Sequence, residues 1–112
     1  MKDFKEEYAR MKEEAQNLKE SAPEVMRDFY QMHGHAFKEG AISGKNKELM
    51  ALGISVAIRC EDCIMSHVRA CYRQGATYEE IAETIEVAIV MGGGPATAYG
   101  AHALTCAKFF EK

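Results

Sequence analysis

The chain has 112 residues and a formal charge of −3, from 14 Lys and Arg against 17 Asp and Glu. With 47% hydrophobic and 28% charged residues, the composition excludes a disordered or fibrous polypeptide, and the length fits a single domain over 1–112. The mild acidity, without a basic patch, argues against a nucleic-acid partner. The longest apolar run, Leu49 to Ile58, is too short to cross a membrane, which takes roughly 20 residues. The charged start, Met1 to Glu7, has no apolar stretch of the secretory kind. The expected location is therefore the cytoplasm, where cysteines serve redox chemistry, metal binding or packing more often than structural disulfides.

Phe4, Tyr8, Met11, Ala15 and Leu18 recur every three or four residues among Lys and Glu. They predict a polar first helix with a narrow apolar seam. The seam suits docking, and residues 1–20 are assigned to oligomerisation. Ser21-Ala22-Pro23-Glu24 predicts a new helix capped by Ser21. Val25, Phe29, Met32 and Ala36 form one stripe of it, with Met26, Tyr30, His33 and Phe37 beside it, and Gly40 ends it. The third segment, 45–59, is nearly all apolar at its centre. Leu52, Ile54, Val56 and Ile58 alternate as a buried strand would. Its length, its helical neighbours and the lack of a second strand favour a helix.

A fourth helix runs from Cys60 to Gln74 and stops at Gly75. Thr77 to Glu80 form a capping box that opens a fifth helix, with Ile81, Ile85, Ala88 and Ile89 on one face. Gly92-Gly93-Gly94 breaks it. This run follows no strand and lacks the Lys-Ser/Thr of a phosphate loop, so it reads as a tight turn that lets two helices approach. A last helix runs from Pro95 to the C-terminus. The fold class is all-α, with six helices. Seven methionines at helical spacing read as core filler.

The chemistry concentrates in Cys60-Glu61-Asp62-Cys63-Ile64-Met65-Ser66-His67. Residues three and four apart share a helix face, so Cys60, Cys63 and His67 lie together. They lie at a helix start, where unpaired amides and the dipole favour an anion and so a thiolate. A thiolate beside a second thiol supports oxidation to a sulfenic acid and resolution to a disulfide. The dipole alone selects Cys60 as the attacking sulfur, whereas the spacing to His67 selects Cys63. Zinc is an alternative use of Cys60, Cys63 and His67. A structural site wants four ligands, and the fourth would be Glu48, His33, His35 or His102. Otherwise His33 and His35 read as helix-end or surface residues and His102 as a packed or solvent-facing one. Cys71 and Cys106 read as small core residues.

Glu48, twelve residues ahead of Cys60, then Cys60-x-x-Cys63-x-x-x-His67, Gly75, the Thr77 helix start and the Gly92 to Gly94 break resemble the carboxymuconolactone decarboxylase and alkylhydroperoxidase D superfamily. The resemblance spans Phe37 to Ala103. It implies a thiol-dependent peroxidase or disulfide oxidoreductase with four catalytic residues. Cys63 attacks the peroxide, Cys60 resolves it, and Glu48 and His67 relay protons. It implies a peroxide or disulfide substrate, no bound cofactor or metal, an external dithiol reductant and assembly as a homotrimer or homohexamer. Where studied peroxidase members carry a histidine before the second cysteine, this chain has Asp62, whose charge opposes a neighbouring thiolate. The decarboxylase branch typically lacks the cysteine pair, so lactone decarboxylation is the lesser alternative. A metal- or ligand-binding helical module using the same residues without turnover is the other.

Overall fold

The heptad-like spacings and capping residues become six α-helices in the computed structural model, which describes residues 3–111. Met1 and Lys2, part of the leader reading, and Lys112, the end of the last expected helix, lie outside the described residues. No strand occurs among the described residues, and the alternating run in the third segment is helical. No described helix is long and apolar enough to cross a membrane.

The described residues form two compact units, 3–39 and 40–111. The first holds α1 (Phe4–Ser21) and α2 (Pro23–Phe37). Asp3 caps α1 by accepting the Lys5 and Glu6 amides at 3.0 and 3.4 Å. The polar face of α1 carries pairs one turn apart, such as Arg10 with Glu14 at 2.7 Å. Ser21 does not cap α2. It belongs to the last turn of α1, and Ala22 closes one helix and opens the next with no side-chain bond, Pro23 supplying the first-turn geometry. The second helix ends at Phe37, before Gly40. None of its residues is buried, and Val25, Phe29, Tyr30 and Met32 are all at least 45% exposed.

The second unit holds α3 (Gly44–Ala57), α4 (Glu61–Arg73), α5 (Tyr78–Gly92) and α6 (Gly94–Phe110). α3 packs against the other three, and α6 against α4 and α5. Leu52, Val56, Ile64, Val68, Ile81 and Ile85 are almost fully buried, each worth about 1.5–3 kcal/mol. The methionines are not core filler as a class. Met65 is buried, but Met32, Met50 and Met91 are more than half exposed, and Met1 lies outside the described residues. Helical spacing reports a face, not what covers it. Between α5 and α6 the backbones approach closely. A methyl group on Gly100 would meet Ile85 Cγ2 at 2.9 Å, and one on Gly92 would meet Ala96 Cβ at 2.8 Å. Gly93 makes the turn at φ +73°.

Two helix ends set up the site. At the end of α4, Gly75 takes φ +89° while its amide bonds Tyr72 O and the Ala76 amide bonds Cys71 O, a glycine-closed Schellman turn. The end of α3 repeats this pattern. The Arg59 amide bonds Val56 O at 3.2 Å and the Cys60 amide bonds Ser55 O at 3.1 Å. Here the left-handed position belongs to Arg59, φ +63°, the one non-glycine at positive φ among the described residues. A side chain costs about 1–2 kcal/mol in that conformation.

Arg59→Gly removes that cost while leaving the turn's hydrogen bonds, and the denatured chain gains some entropy in return. The expected outcome is a net stabilisation of about 0.5–1 kcal/mol, read as a higher denaturant midpoint at unchanged slope; a lower midpoint would contradict the strain. At the start of α5, Thr77 and Glu80 cap each other, and Lys45 bonds Glu80 Oε2 at 2.8 Å. That lysine bond, then the Thr77 amide, holds the Glu80 carboxyl below its ordinary 4.5. A carboxyl lowered by folding stabilises above the ordinary carboxylate range, and its contribution fades as pH falls through the folded value. Glu80→Gln should therefore flatten the acid limb of the stability–pH curve, and an identical limb would show that the pair contributes nothing.

Candidate active site

Cys60 does two jobs within one turn. Its amide finishes α3, and its side chain caps α4, Sγ accepting the Cys63 amide at 3.1 Å. Sulfur is an unusual cap acceptor, since oxygen side chains dominate the position. It places one sulfur of the pair at the positive end of the helix dipole. Cys60 and Cys63 are joined as a disulfide, with Cα atoms 5.2 Å apart. The structure therefore holds the oxidised form of the pair. Both cysteines are half-buried.

One turn further along α4, His67 meets Glu48 of α3. His67 Nδ1 lies 2.7 Å from Glu48 Oε1, with the two side chains only 19% and 10% exposed. Glu48 is buried among the core positions of α3, not on the solvated first turn that its lysine neighbours suggest. A carboxyl taken out of water needs a strong partner, and the imidazole supplies one. The bond holds a single proton. An ionised Glu48 accepts it from Nδ1–H, which leaves Nε2 as a proton acceptor. A protonated Glu48 donates it to Nδ1. Either arrangement gives one hydrogen bond between the same two atoms.

The other two cysteines are of a different kind. Cys71 and Cys106 are buried and unpaired with each other. Burial, reinforced by the Glu48 and Glu80 carboxylates, pushes the Cys71 thiol up to about 12. Burial also pushes Cys106 up to about 12, partly opposed by Arg69. Neither forms a thiolate near neutral pH, in keeping with their expected place in the core. Of the four cysteines, only the pair at the α4 start is both accessible and beside amide donors.

The geometry thus joins the four residues singled out in the sequence as two bonded pairs, Cys60 with Cys63 and Glu48 with His67, on one stretch of α3 and α4. It adds one contact that the sequence did not signal. His102 of α6 brings Nε2 to 3.7 Å from Glu61 Oε1, beside Cys60. His33 stacks on Phe37 at 4.2 Å and His35 is exposed. In this disulfide-bonded form, no group of three or more His, Cys, Asp or Glu side chains is gathered as a metal site among the described residues.

The model of the carboxymuconolactone decarboxylase family matches residues 23–105. An uncharacterised protein of Cupriavidus necator is 34% identical over 87 residues, covering 78% of this chain and 77% of its own. The apo structure of a carboxymuconolactone decarboxylase family protein from Legionella pneumophila superposes with a TM-score of 0.88 at 36% identity, over 93% of each chain. A family member from Thermotoga maritima, for which a part in an antioxidative response has been suggested, superposes with a TM-score of 0.81 at 27% identity, over 92% of this chain and 88% of its own. The chain belongs to the carboxymuconolactone decarboxylase family.

Proposed function

We propose that the chain is a thiol-dependent oxidoreductase that reduces hydroperoxides through the Cys60–Cys63 pair, with Glu48 and His67 as its proton relay. The observation that carries this reading is the coincidence, on one face of α4, of a helix-capping disulfide and a carboxyl–imidazole pair 2.7 Å apart. The antioxidative role suggested for the Thermotoga relative agrees with it. The cysteine pair is what favours redox chemistry over the lactone decarboxylation in the family's name.

In the reduced form, Cys63, one turn before His67, passes its proton towards the imidazole and attacks the outer peroxide oxygen. The S–O bond forms as the O–O bond breaks, and the departing alkoxide takes a proton from the relay and leaves as alcohol. Cys63 is now a sulfenic acid. Cys60 gives its proton to the relay and its thiolate attacks the Cys63 sulfur; the S–O bond breaks, and hydroxide takes that proton and leaves as water. The disulfide that results has given two electrons to the peroxide. An external dithiol restores the pair. Its thiolate attacks Cys63, and Cys60 leaves as a thiolate held by the Cys63 amide and the helix dipole. The second thiol then displaces Cys63. The reductant departs as a disulfide, having supplied two electrons and two protons.

Cys63→Ser should abolish peroxide consumption, and Cys60→Ser should leave a sulfenic acid at Cys63 that a dimedone-type reagent captures. Cys71→Ala and Cys106→Ala should leave turnover intact. Peroxide consumption surviving in Cys63→Ser would remove this cysteine as the nucleophile. Glu48→Gln keeps the shape of the relay but not its proton exchange. It should slow peroxide reduction by about 10²-fold or more and change the pH profile of Cys63 alkylation. An unaltered rate and profile would reduce Glu48 to a packing residue.

A further inference from the structure

α4 meets two other helices through carboxyl–imidazole contacts, and the proton relay uses only one of them. Towards α3, His67 bonds Glu48. Towards α6, Glu61 in the first turn of α4 faces His102, whose Nε2 lies 3.7 Å from Oε1. That distance is too long for a hydrogen bond and within reach of an ion pair. α6 packs on α4 through a buried face of small residues, Ala96, Gly100, Ala103, Cys106 and Ala107, which lets the two helices approach. The imidazole is tucked in at 19% exposure, whereas Glu61 is 47% exposed. This contact falls where charge bears on the disulfide. Cys60 caps α4, and Glu61 is the next residue. When an external thiolate attacks Cys63, the Cys60–Cys63 bond breaks and a new S–S bond joins Cys63 to the reductant. The electron pair stays on Cys60 as a thiolate. The Cys63 amide and the helix dipole favour that anion, but the carboxylates of Glu61 and Asp62, which follow Cys60 directly in the chain, oppose it.

We infer that His102 is a positioning residue for Cys60: its imidazolium balances the Glu61 carboxylate and so eases the departure of Cys60 as a thiolate. The inference rests on the redox use of the cysteine pair, not on peroxide as its oxidant, and it divides the work between the two sulfurs. Glu48 and His67 serve Cys63 in the step that oxidises the pair. Glu61 and His102 set how readily Cys60 is released in the step that reduces it. Each carboxyl–imidazole contact joins α4 to a different helix, one for each sulfur. The size of the effect follows from Coulomb's law. A carboxylate roughly 7 Å from a thiolate, at an effective dielectric constant of about 40, lowers the thiolate population about threefold to tenfold. An imidazolium against that carboxylate returns most of the loss.

Alkylation of the full chain by iodoacetamide, mapped by peptide mass, reads each sulfur separately: Cys63→Ser leaves Cys60 free, and Cys60→Ser leaves Cys63 free. The rates are taken at about pH 6, where an ordinary imidazole is mostly protonated. Adding His102→Gln should slow alkylation of Cys60 about twofold to fivefold, less than the fall in thiolate because a less acidic thiol is the better nucleophile. Cys63 should be affected less. With both cysteines present, His102→Gln should also slow reduction of the disulfide by excess dithiothreitol. Glu61→Gln should speed alkylation of Cys60, and the double variant, which carries neither charge, should return close to the starting rate. An unchanged Cys60 rate in His102→Gln, or equal slowing at both cysteines, overturns the proposal. Failure of Glu61→Gln to restore the rate lost in His102→Gln overturns it in favour of packing. Should His102→Gln lose its helical circular dichroism, Glu61→Gln alone decides, and a Cys60 rate that does not rise overturns the proposal. None of these rates involves peroxide. A wild-type disulfide that peroxide fails to form would therefore overturn the peroxidase reading and leave the role of His102 to be decided by the rates.

Discussion

Three consecutive residues, Ile58, Arg59 and Cys60, set the geometry on which everything else depends. There α3 closes and α4 opens with no linker between them, and Cys60 belongs to both events. Its amide is spent on Ser55 and its sulfur on the Cys63 amide. The backbone reversal fixes the start of α4, which fixes the angular position of Cys63 and His67, and the packing of α3 on α4 then decides which α3 side chain faces His67. That side chain is Glu48. The left-handed Arg59 is the cost of making this reversal without a glycine.

The Glu48–His67 bond is the other half of the arrangement. A buried carboxyl without a partner would cost several kcal/mol, while a hydrogen bond to a charged group returns about 1.5–3 kcal/mol. The bond therefore offsets the burial and does not add greatly to stability. The cysteines of α4 also differ in what surrounds them. Cys71, within reach of the same Glu48 carboxylate, is held as an inert thiol by burial, whereas the cysteines at the α4 start keep access to solvent and to an amide. One helix thus holds a half-buried disulfide and a fully buried thiol two to three turns apart.

Much of this was legible in the sequence because the signals were local. Thr77 and Glu80 announce α5 and do cap it; Gly75 and Gly93 stand at positive φ where the helices stop; and the cysteine spacing with the helix start brings the pair together. The failures have local causes too. Ser21 carries the composition of a cap but is absorbed into α1, because Ala22, at φ −133° and ψ 60°, is the non-helical residue between the helices. The turn at Arg59 gives no glycine signal, although its hydrogen bonds repeat those at Gly75. Glu48 was singled out by its distance from Cys60 and by family resemblance, since its lysine neighbours alone suggest a solvated residue. The His102–Glu61 contact joins α6 to α4 over a long sequence separation, which no periodic pattern records. The stripe on α2 is as regular as any core stripe, yet it is exposed, because periodicity fixes the direction of side chains and is silent about their cover.

The two buried thiols carry a consequence for following the fold in solution. A thiol that ionises only near 12 and is shielded by the core reacts with an alkylating reagent only when the surrounding helices open. Cys71 sits on α4 and Cys106 on α6, so the two sulfurs belong to different helices of the four-helix unit. Their labelling rates report the opening free energy around each site, in the manner of slowly exchanging amides. Equal rates would describe one cooperative unit, and unequal rates would rank the helices by the ease with which they come apart. The chain thus contains its own pair of reporters of local unfolding, chemically silent while folded and read out by mass.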